Sequence, residues 1–561
     1  METSSLLPLA AVLVPVATAA IIVLTRRIPA VRDASLVVGA VATFAVVAAT
    51  GRMVLAGEVP TTVLGELLPG LEVTLAADGM GMVFAALASF LWVLAGSYAI
   101  GYMRGDNASN QTRFYAFYSL CLSTAFGVAF AGDLLTFFIA YELLTVTTYP
   151  LVTHKGDAKA LAAGRTYLGY LLSGGALVLL AMVIVYASTG TLAFTAGGFV
   201  AGTMGTTLTI VVFLLFAVGF GTKAGLLGLH PWLPGAMVAP TPVSALLHAV
   251  AVVKGGVFAF GRFLGFVMGP AAFAGLDVQQ LLSLFAALTI VVASIIALRQ
   301  DHLKRRLAYS TIAHLAYIVL GFSLLSASGF EGSLLHILNH GVAKITLFFA
   351  AGAIHIAAHK DHVSELDGIG RRMPFTMLAF ALASFSLAGL PPAGGFLSKF
   401  TLVTGALEAE QFLLAGVMVG SGLFTAGYLF PIVYRAFFRP EPGEAPTPAG
   451  PAPAVPATPA TPATAPTATV APAGAPAGAA GATAVLTGPG DDRSEVHAGT
   501  GDADADHDSH HAHADHGEAA ATMVVPIVIT GVLSVVLGLG DWTGLYALAA
   551  EVAAAVMGGA P

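Results

Sequence analysis

Gly221-Thr-Lys-Ala-Gly-Leu-Leu-Gly-Leu-His-Pro-Trp-Leu-Pro-Gly-Ala-Met-Val-Ala-Pro-Thr-Pro-Val-Ser-Ala-Leu-Leu-His248 is the stretch that decides the fold. It sets Lys223 inside an apolar segment, interrupts that segment at Pro231 and Pro234, then resumes apolar sequence carrying His248 and Lys254. A lysine at the centre of a membrane helix costs from about 2.5 kcal/mol upward. A helix interrupted at that depth frees backbone groups that only protein or a water-filled cavity can satisfy. A stretch that does both reads as an ion path more readily than as scaffold.

The rest of the chain supplies the membrane. Of 561 residues, 57% are hydrophobic and 10% charged, with mean hydropathy +0.85. Soluble domains carry roughly a quarter charged residues, so a soluble globule is excluded. Long unbroken apolar runs such as Leu282–Leu298 argue for helices and against a membrane β-barrel, which needs short alternating segments. The single Cys121 leaves no intramolecular disulfide and no Cys-ligated cluster. Glu2 is the only early charge, so the basic flank of a cleaved signal peptide is missing, and Leu6–Leu24 reads as a permanent first span.

At about 20 apolar residues per span, the sequence predicts an all-α polytopic membrane protein. Fourteen helices fall at 6–24, 34–55, 78–103, 114–131, 133–152, 160–187, 208–230, 242–268, 276–298, 304–326, 331–357, 373–398, 411–434 and 523–540. Asp133 is the expected N-cap where spans 4 and 5 meet in a tight turn. The cations test this division. Loops after odd spans hold eighteen of the 24 Lys and Arg; loops after even spans hold two, Arg52 and Arg262. The positive-inside rule then puts odd loops in the cytoplasm and both termini outside. Four cations remain within spans, Lys223, Lys254, Lys344 and Lys399, and none is arginine. Lysine can lose its proton when desolvated and arginine effectively cannot, which suits proton exchange.

Residues 440–522 differ in kind. Pro440 to Gly490 is dominated by Ala, Pro, Thr and Gly, and Asp491 to Glu518 is acidic with six of the sixteen His. The first part reads as a disordered or extended linker. The His507–His516 tract reads as a solvated polar tail, with weak metal binding the alternative.

Three segments can carry chemistry. Glu142 stands mid-span in Leu134-Leu-Thr-Phe-Phe-Ile-Ala-Tyr-Glu-Leu with no neighbouring charge. It must be protonated, paired or hydrated, and Lys223 is its expected partner. In Ser333-Leu-Leu-His-Ile-Leu-Asn-His-Gly-Val-Ala-Lys344, the residues His336, His340 and Lys344 repeat every four positions and line one helix face. A zinc pair is the competing reading, but Ile337 stands where a His-Glu-x-x-His motif needs Glu, and no third ligand is evident. Core histidines bonded to backbone are the structural alternative to a hydrated proton relay. In Ser386-Leu-Ala-Gly-Leu-Pro-Pro-Ala-Gly-Gly-Phe-Leu-Ser-Lys399, Pro391 and Pro392 break a helix just before a lysine. Paired interrupted segments point to inverted repeats, here spans 4–8 and 9–13, with breaks in spans 7 and 12. The symmetry is imperfect, because Tyr309 and His314 stand in span 10 where an acid would answer Glu142. His248 and Lys254 lie about 240° apart around one helix and do not face each other. Lys254 is a candidate link between the two half-sites; snorkelling or local pairing is the alternative.

Asp133-Leu-Leu-Thr-Phe-Phe-Ile-Ala-Tyr-Glu, the Lys223 to His248 stretch, Lys304-Arg-Arg-Leu-Ala-Tyr-Ser-Thr-Ile-Ala-His, Leu338-Asn-His-Gly-Val-Ala-Lys and Gly389-Leu-Pro-Pro-Ala-Gly-Gly-Phe-Leu-Ser-Lys together resemble the antiporter-like subunits. These are shared by respiratory complex I, membrane-bound hydrogenases and Mrp-type sodium/proton antiporters. The resemblance covers roughly residues 75–435. It implies fourteen helices in two inverted five-helix repeats and an axis of Glu142, Lys223, Lys344 and Lys399, with His248, His336 and His340 on a hydrated route. It also implies no metal or redox cofactor in this subunit, partner membrane subunits, protons and possibly sodium as cargo, no nucleic acid, and a place in the cell (inner) membrane. The short form, with Lys399 in place of a carboxylate, is most similar to the D-type subunit of Mrp antiporters. The expected organisation is 1–113 (three N-terminal helices), 114–268 and 269–439 (one half-channel each), 440–522 (a cytoplasmic linker) and 523–561 (the last helix). A purely structural subunit, whose buried charges only fix packing and partners, is the alternative of a different class.

Overall fold

Apolar runs bounded by Pro, Gly, Asp and Ser set the elements of the computed structural model, which describes residues 2–68, 71–441 and 517–558. The chain opens with β1 (Glu2–Ser4), α1 (Leu7–Leu24) and α2 (Pro29–Leu55), then β2 (Val59–Leu68), β3 (Leu71–Ala76) and α3 (Gly79–Gly105). Next come α4 (Gln111–Ala129), α5 (Leu134–Val152), α6 (Ala158–Thr189), α7 (Thr206–Ala224), the single turn α8 (Trp232–Gly235), α9 (Thr241–Ala249) and α10 (Val252–Arg262). A π-helical turn extends α10 to Met268. The second half holds α11 (Val278–Arg299), α12 (Leu303–Ser323), α13 (Ala327–Ala358), α14 (Ile369–Arg372), α15 (Pro374–Ala388), α16 (Gly394–Glu408) and α17 (Phe412–Phe438). Helices α18 (Ala521–Val536) and α19 (Leu545–Met557) follow.

Ten of the described helical segments are long and apolar enough to cross a membrane, and α15, α18 and α19 are shorter apolar helices. The molecule is thus a multi-pass helical membrane protein. Asp133 caps α5 as expected, its carboxylate accepting from Thr136 N at 2.7 Å; Asp78 and Asp157 do the same for α3 and α6. Burial grades from the outside in. The apolar window of Thr241–Met268 is wholly buried, against a third of α1 and α2. The outer faces instead present large side chains such as Val38, Leu180, Leu288 and Leu423, as a lipid-facing surface must. Helix α13 lies innermost, packed against α3, α9, α12, α15, α16, α18 and α19.

Two features depart from the sequence reading. Residues 59–68 and 71–76 form strands: β1 pairs parallel with β2 and β2 antiparallel with β3, with Thr61 opposite Ala76. Thr74 N donates to Thr136 Oγ1 at 2.9 Å, which fastens this small sheet to the start of α5. The stretch falls between spans 2 and 3, and a window tuned to 20-residue apolar runs passes over it. The second is α19, a 13-residue helix too short for that window.

The linker expected at 440–522 and its His tract fall mostly on residues 442–516, outside those described. From Gly517 the chain is described again. Glu518 caps α15, accepting from Phe375 N at 2.6 Å and from the Thr376 hydroxyl at 2.6 Å.

Arg262, one of the two cations outside the charge rule, is buried and forms a two-pronged pair with Asp78, with Arg262 Nη2 2.8 Å from Asp78 Oδ1. Its guanidinium lies 5.1, 5.2 and 4.8 Å from the rings of Phe194, Phe258 and Phe266. Removing one partner of such a pair leaves an uncompensated charge, at about 3 kcal/mol. Arg262→Ala should therefore lower the thermal unfolding midpoint of the purified protein by several degrees, and Arg262→Lys should recover only part of the loss, since lysine cannot form the two-pronged pair.

Candidate functional site

The first helix break opens at Gly225, six residues before Pro231. Gly225 takes φ 70°, a left-handed value that ends α7. Leu226 N then turns back to Gly221 O at 3.0 Å. The freed groups are taken up by protein: Trp232 Nε1 donates to Thr222 O at 2.8 Å, and Leu227 N to Thr289 Oγ1 of α11 at 3.2 Å. Pro231 and Pro234 sit at and within α8, where they shape the restart.

This termination leaves Lys223 in the last turn of α7, 1% exposed, with Nζ 3.5 Å from Glu142 Oε1 of α5. The expected pair is present. Lys223 Nζ also donates to the Tyr141 carbonyl and stands 3.1 Å from the centroid of the Tyr141 ring. Two glycines make the space. A Cβ at Gly175 of α6 would lie 2.5 Å from Glu142 Oε1, and one at Gly256 of α10 would lie 2.5 Å from Ala224 N. The Glu142 side chain keeps 21% exposure while its Oε1 is buried without a hydrogen bond.

Span 8 is also broken, which its sequence did not announce. Val250 (φ −134°, ψ −40°) and Ala251 (φ −93°, ψ −106°) separate α9 from α10. His248 and Lys254 therefore lie on different helices with different partners. The His248 ring stacks on Phe348 at 4.6 Å, and neither ring nitrogen finds a protein partner. Lys254 Nζ lies 2.8 Å from His340 Nδ1 on α13, and both side chains are fully buried.

The His336, His340 and Lys344 face of α13 meets α12 and α16. The rings of His340 and His314 stand 5.4 Å apart. His314 Nδ1 lies 3.0 Å from His336 Nε2, and His336 Nδ1 lies 2.9 Å from Ser398 Oγ. Lys344 Nζ donates to Ser310 Oγ at 2.6 Å and Leu307 O at 3.2 Å, and Ser310 continues to the Tyr428 hydroxyl at 3.0 Å.

The second break mirrors the first in method. Gly389 (φ 84°) ends α15, a cis bond joins Pro391 and Pro392, and α16 restarts at Gly394. Gly395 N donates to Ser386 Oγ at 3.1 Å; a Cβ at Gly395 would fall 1.8 Å from Ser386 O. Asn339 Nδ2 donates to Gly394 O at 2.8 Å. Lys399, in the second turn of α16, is buried with its Nζ 5.1 Å from the Tyr317 ring and without a hydrogen bond. The four buried lysines therefore divide. Lys223 has a carboxylate, Lys254 an imidazole, Lys344 a hydroxyl, and Lys399 an aromatic face.

A polar cavity of about 250 Å³ opens beside this axis, lined in part by Tyr102, Lys155, Asp157, Lys304, His355 and Asp361. Lys304 Nζ donates from it to Ala239 O, between α8 and α9, at 3.0 Å. Just past α13, the hydrogen bond from His355 in its last turn to Asp361 at 3.0 Å holds the Asp361 carboxyl below its usual range. Burial pushes the His302 imidazole below its usual value.

Chemically, the buried part is a series of carboxylate, ammonium, imidazole and hydroxyl groups with contacts of 2.6–3.5 Å inside each cluster. The sequence reading missed His314, Ser310 and Ser398 as members. Ser310 and His314 are four apart on α12, the same periodicity that flagged His336 and His340, so that signal was present. Tyr141 carried none, since its carbonyl and ring face act where a sequence shows only a Tyr beside a Glu. Among the described residues, no group of three or more His, Cys, Asp and Glu is placed to hold a metal ion.

Residues 131–425 match the family model described as NADH:quinone oxidoreductase/Mrp antiporter, transmembrane. The chain is 35% identical over 395 residues to the NADH-quinone oxidoreductase subunit N of Desulforudis audaxviator, covering 68% of this chain and 77% of that one. It is 30% identical over 388 residues to the F(420)H(2) dehydrogenase subunit N of Methanosarcina mazei, covering 66% and 76%. It is 28% identical over 369 residues to a Staphylococcus aureus protein named as antiporter subunit mnhD2, covering 65% and 73%. In fold it is similar to a chain of the Mrp complex from Dietzia, with TM-score 0.75, 22% identity and 98% and 96% of the two chains covered. The chain belongs to the NADH:quinone oxidoreductase/Mrp antiporter transmembrane family.

Proposed function

We propose that this chain is a proton-translocating subunit of a multi-subunit membrane complex, most closely an Mrp-type monovalent cation (sodium)/proton antiporter. The single observation that carries the reading is Lys223 Nζ, 1% exposed, held 3.5 Å from Glu142 Oε1 at the end of an interrupted helix. An opposite charge at that range ties the protonation of each group to the other. A proton leaving Lys223 weakens the hold on Glu142, and one arriving restores it. Gly256 places the restart of α10 against Lys223, and Lys254 on that helix reaches His340. From there His314, His336 and Ser398 lead towards Lys399, with Lys344 held beside them on Ser310.

In this reading the chain crosses the membrane fourteen times. The ten long apolar helices are joined by α4, α12, the α15–α16 pair and α18. Spans 4–8 (114–268) and 9–13 (269–439) are two inverted repeats, each with one half-channel, following residues 1–113 and preceding the 440–522 linker and the segment 523–561. Both termini lie outside the cell membrane, since the cation-rich loops follow odd spans. The cavity at Lys155, Asp157 and Lys304 then faces the cytoplasm. The coverage of nearly the whole chain by an Mrp-complex chain supports the antiport reading. The 35% identity to an NADH-quinone oxidoreductase subunit N favours a second reading, in which a redox arm elsewhere in the complex drives the same proton path.

Four outcomes are expected. In the assembled complex, Glu142→Gln and Lys223→Ala should each lower proton flux into everted vesicles by about tenfold or more, or ~1.4 kcal/mol on the barrier, with subunit composition unchanged. Unchanged flux would remove the assigned roles, and loss of assembly before flux would favour the structural subunit. Sodium added without an electron donor should dissipate a pH gradient under antiport; a response only to a quinone reductant would favour the redox-driven reading. Gly175→Val should displace the Glu142 carboxylate and mimic Glu142→Gln, whereas Gly169→Val on the same helix, with nothing within 4 Å of its Cβ position, should leave flux intact. Tyr141→Phe should transport normally, since the Tyr141 hydroxyl has no partner, while Tyr141→Leu should narrow the pH range of activity by removing the ring from Lys223.

A further inference from the structure

Away from the proton route, a cleft of about 330 Å³ lies between α2, α3, α13, α18 and α19. Its floor includes Leu338 and Val342 of α13 and Leu87 of α3, and its wall Phe44 of α2. Leu338 and Val342 each stand two residues from His340, roughly 200° around the helix. The cleft therefore backs onto the face of α13 opposite the titratable one. Its polar groups are few and mostly engaged. Ser89 bonds to Ala86 O at 3.2 Å, and the Tyr546 hydroxyl to Leu537 O at 2.7 Å and Asn339 Oδ1 at 3.1 Å. Thr543 Oγ1 lies 3.4 Å from Asp541 Oδ1, and the Asp541 carboxylate also accepts from Thr543 N and Ala547 N. What remains is Arg52, an exposed cation on the last turn of α2 at the cleft, with no acidic partner among the described residues.

We propose that this cleft is a binding site for one anionic phospholipid, its acyl chain along the apolar wall and its phosphate on Arg52. The lining chooses the occupant: apolar side chains along its length and one cation at its end are the profile of an amphiphile. A lone arginine beside an apolar trough between membrane helices complements an anionic headgroup. The lipid fills space behind α13 and backs the helix that carries His336, His340 and Lys344. The inference depends on the membrane placement of these helices and not on the direction or partner of transport.

The test uses the intact complex, purified in mild detergent and analysed by native mass spectrometry with lipid extraction. Wild type should retain one anionic phospholipid per copy of this chain through delipidation, and should regain it from phosphatidylcholine vesicles containing phosphatidylglycerol but not from phosphatidylcholine alone. Ala48→Trp, at an exposed position on the cleft wall, should abolish retention. Arg52→Gln should keep a lipid but lose the preference for the anionic headgroup. A photoreactive residue at position 48 should label phospholipid. Labelling of another subunit at that position, retention unchanged by Ala48→Trp, or no headgroup preference in wild type would each overturn the proposal.

Discussion

Backbone released from a helix at membrane depth must be satisfied by something other than water, and two of the three breaks show which groups meet that demand. At Gly225 the indole of Trp232 and the hydroxyl of Thr289 take up the loose ends. At Gly389 the Ser386 hydroxyl and the Asn339 amide do so. Only because these groups are met can Lys223 and Lys399 sit beside the breaks without unravelling their surroundings. The lysines are held by what the breaks allow, and the breaks survive through contacts from helices distant in sequence.

The two halves solve the charge problem differently. In the first, a lysine and a glutamate on adjacent helices neutralise each other, with an aromatic face and a carbonyl completing the ammonium's shell. In the second, no acid of the described residues approaches Lys344 or Lys399, and hydroxyls, imidazoles and a tyrosine ring stand in their place. Dipoles and neutral rings accept a charge less firmly than a carboxylate does. The first half therefore holds its ammonium against a carboxylate, and the second holds its ammonium groups against neutral dipoles and rings. Helix α10 lies between them, touching Lys223 through Gly256 and α13 through Lys254.

Much of this was legible in the chain itself. Long apolar runs gave the helices. Isolated Glu142 and four internal lysines marked the interior because charge in hydrocarbon needs a reason. Short-range geometry was harder to read. Prolines marked the break near Lys223, yet Gly225 is where the helix ends, since a left-handed turn terminates a helix before a ring can block it. The interruption at Val250 and Ala251 had no glycine or proline to mark it; it is imposed by packing between helices, which a local window does not see. The sheet at 59–76 was hidden for a similar reason, its strands lying in what hydropathy treats as a gap. Ser398 of α16 was invisible by chemistry alone, because serine is common in helices for other purposes, whereas Ser310 of α12 could be found only through its spacing from His314.

Tyr546 reaches from α19 to both Leu537 O and the Asn339 amide oxygen, while the nitrogen of that same amide holds Gly394 O at the start of α16. One asparagine thus couples the far C-terminal helix to the geometry of the second interruption. Glu518 does comparable work at the other end of the same span by capping α15. Residues 517–558 are thereby a keystone laid late: until they have left the ribosome, α15 and α16 lack two of their fastenings, and the second half of the molecule cannot reach its final form.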